Sequence, residues 1–374
     1  TFIYDQISKL QETLKSYKSS IRCLSGEPLA LWSELLHEKN IRAVFYNKDY
    51  EPYALARDAK IVSLLHSQGV SVHTYKDQVI FEEQEILKKD RTPYTMFTPY
   101  KNSWLKSFDI EHTTPLNNTN FEQLVKSSYP LPSLASIGFT RSNIKVFPFD
   151  LSIVEGYEHT RNIPAIDTSQ LGPHLRFGTI SIRQIIHQLK SNATSFLNEL
   201  IWREFFMQIL FNFPFVVDKN FVRKYDRINW RNDSDEFAKW YSGRTGYPFI
   251  DAGMRQLNQT GYMHNRVRML AASFLCKHLL IDWRWGEAYF ASKLLDYDLA
   301  SNNGNWQWSA STGCDAAPYF RVFNPNLQLQ KFDANFDYVK TWVPELGTDE
   351  YPDPIVEHNF AKERALRAFK EALQ

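Results

Sequence analysis

The apolar positions of the first hundred residues follow two different periods. A repeat of three to four residues, as in Ile3, Ile7 and Leu10, predicts a helix, whereas short runs rich in β-branched side chains predict strands. The region thus contains, in chain order, a first helix, a strand at 21–26, a helix at 28–40, a strand at 41–46, a helix at 54–69 and a strand at 71–76. Because helices and strands take turns, we expect βαβ units and a parallel sheet.

The remainder of the chain divides into a connector and a helical part. Residues 101–165 contain several prolines and polar stretches, which are typical of connecting segments, and from 166 to 374 the helical period dominates. We therefore expect an α/β domain over 1–100, the connector, and an all-helical domain. The chain lacks an initiator Met and opens directly on a helix. We expect an N-terminally incomplete piece whose Rossmann-like sheet has lost its first strand and helix.

Composition narrows the class of protein. The formal net charge is +1, so any nucleic-acid surface has to be a local patch. Three cysteines lie far apart, which argues for a reducing compartment. Because we find no apolar run of about 18 residues and no basic-then-apolar leader pattern, we expect neither a membrane span nor a signal peptide. We expect a soluble protein of a prokaryote-like cytoplasm, with no membrane partner.

Common catalytic motifs are missing. The sequence contains no GxxxxGK[ST], GxGxxG, HExxH, CxxC or GxSxG pattern. His264, Cys276 and His278 match no standard zinc spacing, so no metal site is predicted.

Tryptophans and arginines are concentrated in the helical part, where seven of the ten tryptophans fall between residues 202 and 308. Arg266 and Arg268 stand two positions apart, as do Trp306 and Trp308, and such pairs point about 200° apart on a helix. One member of each pair would then face inward and the other a cavity or a phosphate. Aromatic and arginine side chains in a cavity suit a stacked nucleobase. An aromatic-rich core with a solvated basic face would give the same composition.

Six segments together resemble one family closely. They are TSQLGPHLRFGTIS (168–181), ELIWREF (199–205), INWRND (228–233), RTGYPFIDAGMRQLNQTGYMHNRVRM (244–269), LLIDWRWGE (279–287) and LLDYDLASNNGNWQWSASTGCDAAPYFRVFNP (294–325). These segments resemble the photolyase/cryptochrome flavoproteins, and most of all the class I cyclobutane pyrimidine dimer photolyases. The resemblance implies an antenna domain followed by a helical FAD-binding domain, and an enzyme that repairs UV-damaged DNA in light. The enzyme is expected to be a monomer that acts on a pyrimidine dimer flipped out of the DNA duplex.

The resemblance also implies roles for individual residues. Those expected to bind FAD are Tyr157, Thr168, Ser169, Gln170, Leu171, Arg203, Asn265, Arg268, Phe290, Asp296, Asp298, Leu299 and Asn302. Those expected to bind the dimer or DNA are Arg161, Glu199, Trp202, Asn265, Arg266, Met269, Trp308 and Arg321. Among them, Asn302 and Glu199 are expected to be catalytic. Trp306, Trp283 and Trp230 are expected to carry an electron from the surface to photoexcited oxidised flavin.

Some positions depart from the family pattern. Gly172 stands where relatives have a hydroxyl near the diphosphate. Tyr53, Ala54 and Val217 replace the amide, acid and lysine of folate-binding relatives, so a folate antenna is not expected and the identity of a second chromophore stays open. The alternative function is a cryptochrome-like photoreceptor. Asn302 and the NWQW pair favour the enzyme, and we expect burial to raise the pKa of Glu199.

Overall fold

The structure is a computed structural model that describes residues 1–114, 121–190 and 192–374. Within these ranges the strands are β1 (Ala43–Asn47) and β2 (Ser71–Tyr75). The α-helices are α1 (Phe2–Ser16), α2 (Pro28–Glu38), α3 (Pro52–Ser67), α4 (Phe97–Ser107), α5 (Tyr157–Thr160), α6 (Leu171–Arg176), α7 (Ile182–Gln188), α8 (Thr194–Asn212), α9 (Ser234–Ser242), α10 (Pro248–Thr260), α11 (Asn265–Ser273), α12 (Trp283–Lys293), α13 (Leu299–Ala310), α14 (Pro325–Phe332), α15 (Asp337–Trp342) and α16 (His358–Leu373). A π-helical segment spans Phe274–His278.

The βαβ unit predicted in the first hundred residues is confirmed. β1 pairs in parallel with β2, with Ala43 opposite Ser71, and α3 forms the crossover between them. Gly69 follows α3 with a φ of +72°, a left-handed conformation that costs glycine nothing and lets the chain turn back into β2. Leu65 of α3 is fully buried in the small apolar core of this unit. The period of the sequence therefore identified these elements correctly.

The strand predicted at residues 21–26 is wrong. No strand is present there, and the backbone N–H of Ile21 donates to Oε1 of Gln11 at 2.7 Å. Gln11 is buried and also donates from Nε2 to the carbonyl of Tyr129. A side-chain amide thus takes up the backbone hydrogen bonding that a neighbouring strand would otherwise provide.

The chain forms two compact units. The first comprises residues 1–80, 109–147 and 177–188, and the second comprises 81–108, 148–176 and 189–374. The connector expected over 101–165 contributes residues to both units, and its residues 115–120 lie outside the described part of the chain. The division into domains at 100 and 165 stays a prediction.

The second unit is built from helices that pack around an aromatic-rich core. The helices predicted by the apolar period are present as α8, α10, α11 and α12, and Gly261 ends α10 with a φ of +70°. α10 and α11 approach closely, because a Cβ at Gly253 would lie 2.2 Å from Val267 Cγ1. None of the helices in the described residues is long and apolar enough to cross a membrane.

Candidate active site

A cavity of about 480 Å³ lies within the second unit. Its walls come from the segment 153–175, from α8, from α11 with the residues before it, and from α13. A smaller cavity of about 90 Å³ shares residues of α11 and α13 with it and extends to Asn302 and Trp306. Cavities of this size and mixed polarity hold small molecules and cofactors in other proteins.

Most of the residues predicted from the sequence line these two cavities. The larger one is lined by Arg161, Tyr157, Thr168, Ser169, Gln170, Leu171, Glu199, Trp202, Arg203, Asn265, Arg268, Met269, Asp296 and Trp308. Phe290, Asp298, Asn302 and Trp306 line the smaller one. Five predicted residues line neither cavity, namely Leu299, Arg266, Arg321, Trp283 and Trp230.

One wall of the larger cavity is held by a charged pair. Nη1 and Nη2 of Arg268 donate to the two carboxylate oxygens of Asp296 at 3.1 and 2.9 Å, and Nε donates to the carbonyl of Met263. A Cβ at Gly172 would lie 2.7 Å from Oδ2 of Asp296. The glycine that replaces a hydroxyl in this segment therefore makes room for the carboxylate.

Asn302 is fixed by a carboxylate that the sequence did not single out. Its Nδ2 donates to Oε1 of Glu287 at 2.8 Å and to the Glu287 carbonyl at 3.2 Å. Burial raises the pKa of Glu287, although the hydrogen bond from Asn302 opposes this. Glu287 follows Trp283 by four residues, so both lie on one face of α12. The spacing of four residues from Trp283 was therefore a signal that Glu287 shares the face of that tryptophan.

Glu199 and Arg161 form an ion pair at the larger cavity, with Oε1 of Glu199 2.8 Å from Nη2 of Arg161. Burial raises the pKa of Glu199, and Arg161 offsets part of this rise. The direction of the shift is the one expected from the sequence. The guanidinium of Arg161 also lies over the ring of Tyr157, 5.3 Å from its centroid. The carboxyl group is thus held at the cavity wall by a single cation.

The two indoles of the NWQW segment face different ways, as predicted. Trp306 is 2% exposed and its ring lies edge-on to Phe290, 4.9 Å between centroids. Trp308 is half-buried and lines the larger cavity. Trp202 lines the same cavity, and its ring stacks on Phe97 with centroids 3.7 Å apart and an angle of 8° between the ring planes. The larger cavity is therefore bordered by two half-buried indoles.

The arginines of α11 also diverge. Arg268 turns to Asp296, whereas Nε of Arg266 donates to Oδ1 of Asn162 at 3.2 Å and its guanidinium lies 4.5 Å from the ring centre of Phe332. Burial lowers the pKa of Arg266, and the positive charges of Arg161 and Arg321 lower it further.

Arg161 and Arg321 therefore lie close enough to Arg266 for their charges to act on it, and the three arginines form the kind of local basic patch that a nucleic-acid surface needs on a chain of net charge +1.

His264 lines the cavity without having been assigned a role. Its Nδ1 accepts from the backbone N–H of Arg266 at 3.1 Å and so caps α11, which places the ring proton of the neutral side chain on Nε2. Burial lowers the pKa of His264 to about 4, with further contributions from Arg268 and Arg266. The imidazole is therefore neutral at pH 7.

The remaining predicted residues line neither cavity. Trp283 is buried and donates from Nε1 to Oδ1 of Asn220 at 2.8 Å, and Trp230 is edge-on to Phe369 at 5.9 Å. Leu299 is the first residue of α13, and Arg321 is exposed. In the described ranges, no three His, Cys, Asp or Glu residues are grouped in a way that could hold a metal ion.

Comparison with known proteins places this fold and cavity among light-driven flavoproteins. Residues 1–119 match the family model "DNA photolyase", and residues 196–349 match "FAD binding domain of DNA photolyase". A deoxyribodipyrimidine photo-lyase of Alkalihalophilus pseudofirmus is 35% identical over 99% of this chain and 87% of its own length. The chain belongs to the DNA photolyase family.

Two solved structures share the fold. A class III photolyase from Agrobacterium tumefaciens has a TM-score of 0.89 and 35% identity, over 98% of this chain and 86% of its own. An archaeal photolyase from Sulfolobus tokodaii, solved with two FAD molecules and with an implied novel light-harvesting cofactor, has a TM-score of 0.82 and 34% identity, over 99% and 88% of the two chains.

The described residues fit FAD, which is the cofactor of this family domain. The cavity is large and polar on the side of Arg268 and Asp296, and Gly172 leaves space beside that pair. Nε1 of Trp306 is buried without an acceptor among the described residues, at the wall of the smaller cavity. A buried donor of this kind is costly unless a partner is supplied, and a bound ligand is one such partner. Whether the protein binds a second chromophore as an antenna, and which one, stays open.

Proposed function

We propose that this chain splits cyclobutane pyrimidine dimers in DNA under blue light, with FAD bound in the paired cavities. One observation carries the proposal: two half-buried indoles, Trp202 and Trp308, line the same cavity as the Glu199–Arg161 pair and the Arg268–Asp296 pair. One part of the cavity thus suits stacked pyrimidines and the other suits a cofactor with polar groups.

The protein's part in this chemistry is binding and orientation. A cyclobutane dimer has neither an acidic proton nor a good leaving group, and bound FAD supplies the light-driven electron that opens it. Enzymes that act on a base, photolyases among them, extrude the nucleotide at a cost of a few kcal/mol. Trp202 and Trp308 offset that cost by stacking. Glu199, paired with Arg161 at the cavity wall, is placed to contact a pyrimidine, and burial raises the pKa of its carboxyl group.

The other predicted residues receive roles on the same basis. Asn302, fixed by Glu287, presents its amide to the flavin ring, and Asn265 and Met269 border both cavities between flavin and dimer. Arg266 and Arg321 bind backbone phosphates, which position the DNA without reading its sequence. Binding is therefore expected to weaken as salt concentration rises.

The first experiment is an anaerobic repair assay. The purified chain is saturated with FAD, the flavin is reduced chemically, and DNA carrying thymine dimers is added in blue light or in the dark. Light-dependent restoration of thymine supports the proposal. Bound, reducible flavin without repair contradicts it and favours a cryptochrome-like photoreceptor instead.

Within the family we propose the class I type and a monomeric enzyme of a prokaryotic cytoplasm. The class I type rests on the resemblance of the sequence segments, and the choice of cyclobutane dimers over (6-4) photoproducts rests on His264, Asn265 and Met269, which replace the histidine pair expected of a (6-4) photolyase. Repair of cyclobutane dimers but not of (6-4) photoproducts is the expected result. Size-exclusion chromatography with light scattering tests the monomer.

A further inference from the structure

The first residue of α4 covers one face of an indole at the larger cavity. The ring of Phe97 stacks on Trp202 with centroids 3.7 Å apart and an angle of 8° between the planes. Phe205 lies edge-on to both rings, at 5.9 Å from Phe97 and 5.6 Å from Trp202. Phe97 is 7% exposed, whereas Trp202 is half-buried and lines the cavity. The indole is therefore packed on the side of α4 and accessible from the cavity.

The loop after α13 holds this end of α4 in place. The backbone N–H of Phe97 donates to Oδ2 of Asp315 at 2.9 Å, and the thiol of Cys314 donates to the carbonyl of Thr95 at 2.7 Å. Burial raises the pKa of Cys314 to about 12, so the thiol keeps the proton that it donates at pH 7. The position of the Phe97 ring therefore depends on a loop that is distant in the chain.

The same loop is fixed to the helix that carries the other cavity indole. The backbone N–H groups of Thr312 and Gly313 both donate to the carbonyl of Gln307 on α13, at 3.0 and 3.1 Å. A Cβ at Gly313 would lie 2.8 Å from Cβ of Gln307, so the loop lies directly against the NWQW segment. A closed series of contacts therefore links the two indoles through the loop 311–315 and Phe97.

Support of this kind matters for a large side chain at a cavity wall. An indole has several staggered rotamers, and a ligand that needs one of them binds more weakly when the others are populated. Any other orientation of Trp202 would give up its stacking on Phe97. The indole is thus already ordered in the orientation that it presents to the cavity, and a ligand does not have to order it on binding.

We propose that Phe97 and Asp315 are positioning residues for the pyrimidine dimer, an inference that rests on the proposed function. Asp315 fixes the start of α4, and Phe97 holds the ring of Trp202 in the orientation on which the dimer stacks. Neither residue lines the two cavities, so both act through Trp202. The effect is specific to damaged DNA, because an undamaged duplex is held through its phosphates and keeps its bases stacked inside.

The test uses the full chain loaded with FAD and kept in the dark. Phe97→Leu removes the stacked ring, whereas Phe97→Tyr keeps it. Asp315→Gly removes the acceptor of the Phe97 N–H, whereas Asp315→Asn keeps an acceptor oxygen. Asp315 has a φ of +49°, and both glycine and asparagine adopt this left-handed conformation more readily than other residues.

The other end of α4 provides a matched control. Phe108, which directly follows α4, stacks on Trp104 with centroids 4.8 Å apart and planes at 13°. Neither of these two residues lines a cavity. Phe108→Leu therefore removes a phenylalanine that stacks on a tryptophan of the same unit without touching the proposed device.

Two readouts separate positioning from general stability. The first is the affinity for a DNA duplex with a thymine dimer and for the same duplex without damage, both measured by fluorescence anisotropy. The second is fluorine NMR of protein labelled with fluorotryptophan, in which Trp202→Phe identifies the resonance of Trp202. The NMR measurement reports the surroundings and the mobility of that indole in the absence of DNA.

We expect Phe97→Leu and Asp315→Gly to weaken binding of dimer-containing DNA about fivefold, as for the loss of one aromatic contact, and to leave binding of undamaged DNA unchanged. Both substitutions are also expected to shift and broaden the Trp202 resonance. Phe97→Tyr, Asp315→Asn and Phe108→Leu are expected to behave as the wild type in both measurements.

An unchanged Trp202 resonance in Phe97→Leu and Asp315→Gly overturns the positioning role, and so does an equal loss of affinity for damaged and undamaged DNA. Asp315 is half-buried, so its replacement decides the matter if Phe97→Leu fails to fold. A wild-type chain that binds both duplexes equally and repairs neither contradicts the proposed function. The fluorine spectra still decide in that case whether Phe97 and Asp315 position Trp202.

Discussion

At the scale of single residues, three polar side chains of the cavities are each held by a partner side chain. Arg161 holds Glu199, Asp296 holds Arg268, and Glu287 holds Asn302. Removing one member of a buried pair leaves the other without its hydrogen bond, which costs more than the pair itself contributes. A single substitution at one of these positions is therefore expected to release the partner side chain from its position at the cavity wall.

Replacing Glu199 by Gln tests the dimer-binding role at this scale. Glutamine can donate to a pyrimidine carbonyl, but it lacks the charge that pairs with Arg161, whose Nη2 lies 2.8 Å from Oε1 of Glu199. We expect the repair quantum yield to fall about fivefold, as for the loss of roughly 1 kcal/mol, with FAD content unchanged. Repair at the wild-type yield means that Glu199 has no such role.

The Glu287→Leu substitution tests the positioning of Asn302. Without the carboxylate, Nδ2 of Asn302 loses its acceptor at 2.8 Å and keeps only the backbone carbonyl of residue 287 at 3.2 Å, so the amide is held less firmly. We expect the reduced flavin to be reoxidised by air about tenfold faster, which corresponds to about 1.4 kcal/mol. Glu287→Gln retains an acceptor oxygen and serves as the conservative control. Equal reoxidation rates in both variants contradict the positioning role.

At the scale of elements, glycines set how closely the cavity helices pack. A Cβ at Gly304 of α13 would lie 2.1 Å from Cδ1 of Phe206 on α8, and one at Gly286 of α12 would lie 2.1 Å from the Trp306 ring. α8, α12 and α13 all contribute residues that line the cavities. The close spacing between α8, α12 and α13 therefore requires glycine at positions 286 and 304, because glycine has no side chain.

The Gly304→Ala substitution is expected to push α13 away from α8. Overpacking of this kind typically costs about 1–3 kcal/mol, and here the displaced ring of Phe206 also lines the larger cavity. We expect a lower midpoint of thermal unfolding together with reduced FAD retention. Gly347→Ala is the control for the loss of a glycine, because no atom lies within 4 Å of a Cβ there, although its φ of +89° adds backbone strain. Full FAD retention in Gly304→Ala contradicts the expectation.

At the scale of the whole molecule, a buried lysine couples stability to pH. Lys277, fully buried in the π-helical segment, donates to Oγ of Ser311 at 2.9 Å and to the carbonyl of Tyr319, and its ammonium lies 3.7 Å from the ring centre of Phe369. Burial lowers the pKa of Lys277 to about 7. The amino group of Lys277 thus joins α16 to the end of α13 and to the Tyr319 segment.

The sign of the pH effect follows from the lowered pKa. Between pH 7 and the unfolded pKa of about 10.4, the unfolded chain binds the proton and the folded chain does not, so stability rises with pH. We expect a gain of roughly 3 kcal/mol between pH 7 and 9.5, and a smaller gain in Lys277→Met.

Urea unfolding followed by tryptophan fluorescence measures this difference, with the exposed Lys362→Met as control. The same pH slope in wild type and Lys277→Met shows that Lys277 is not its source.

Local patterns of the sequence determined the elements and much of the site. The period of the apolar residues predicted the βαβ unit and the main helices, because amphipathic periodicity is a local property. The i, i+2 spacing of Trp306 and Trp308 predicted that these two side chains lie on different faces of a helix. Most of the site residues that the resemblance implied line the cavities. These features need no knowledge of long-range contacts.

Only the tertiary structure decided which distant groups meet. Gln11 satisfies the backbone of a predicted strand, Glu287 holds Asn302, and Trp240 contacts Trp306 from 66 positions away in the chain. Such partners depend on how helices pack, and packing depends on volume and close approach at positions such as Gly304, which no local period encodes. The sequence therefore determined what kind of protein this is, and the packing decided which side chains act together.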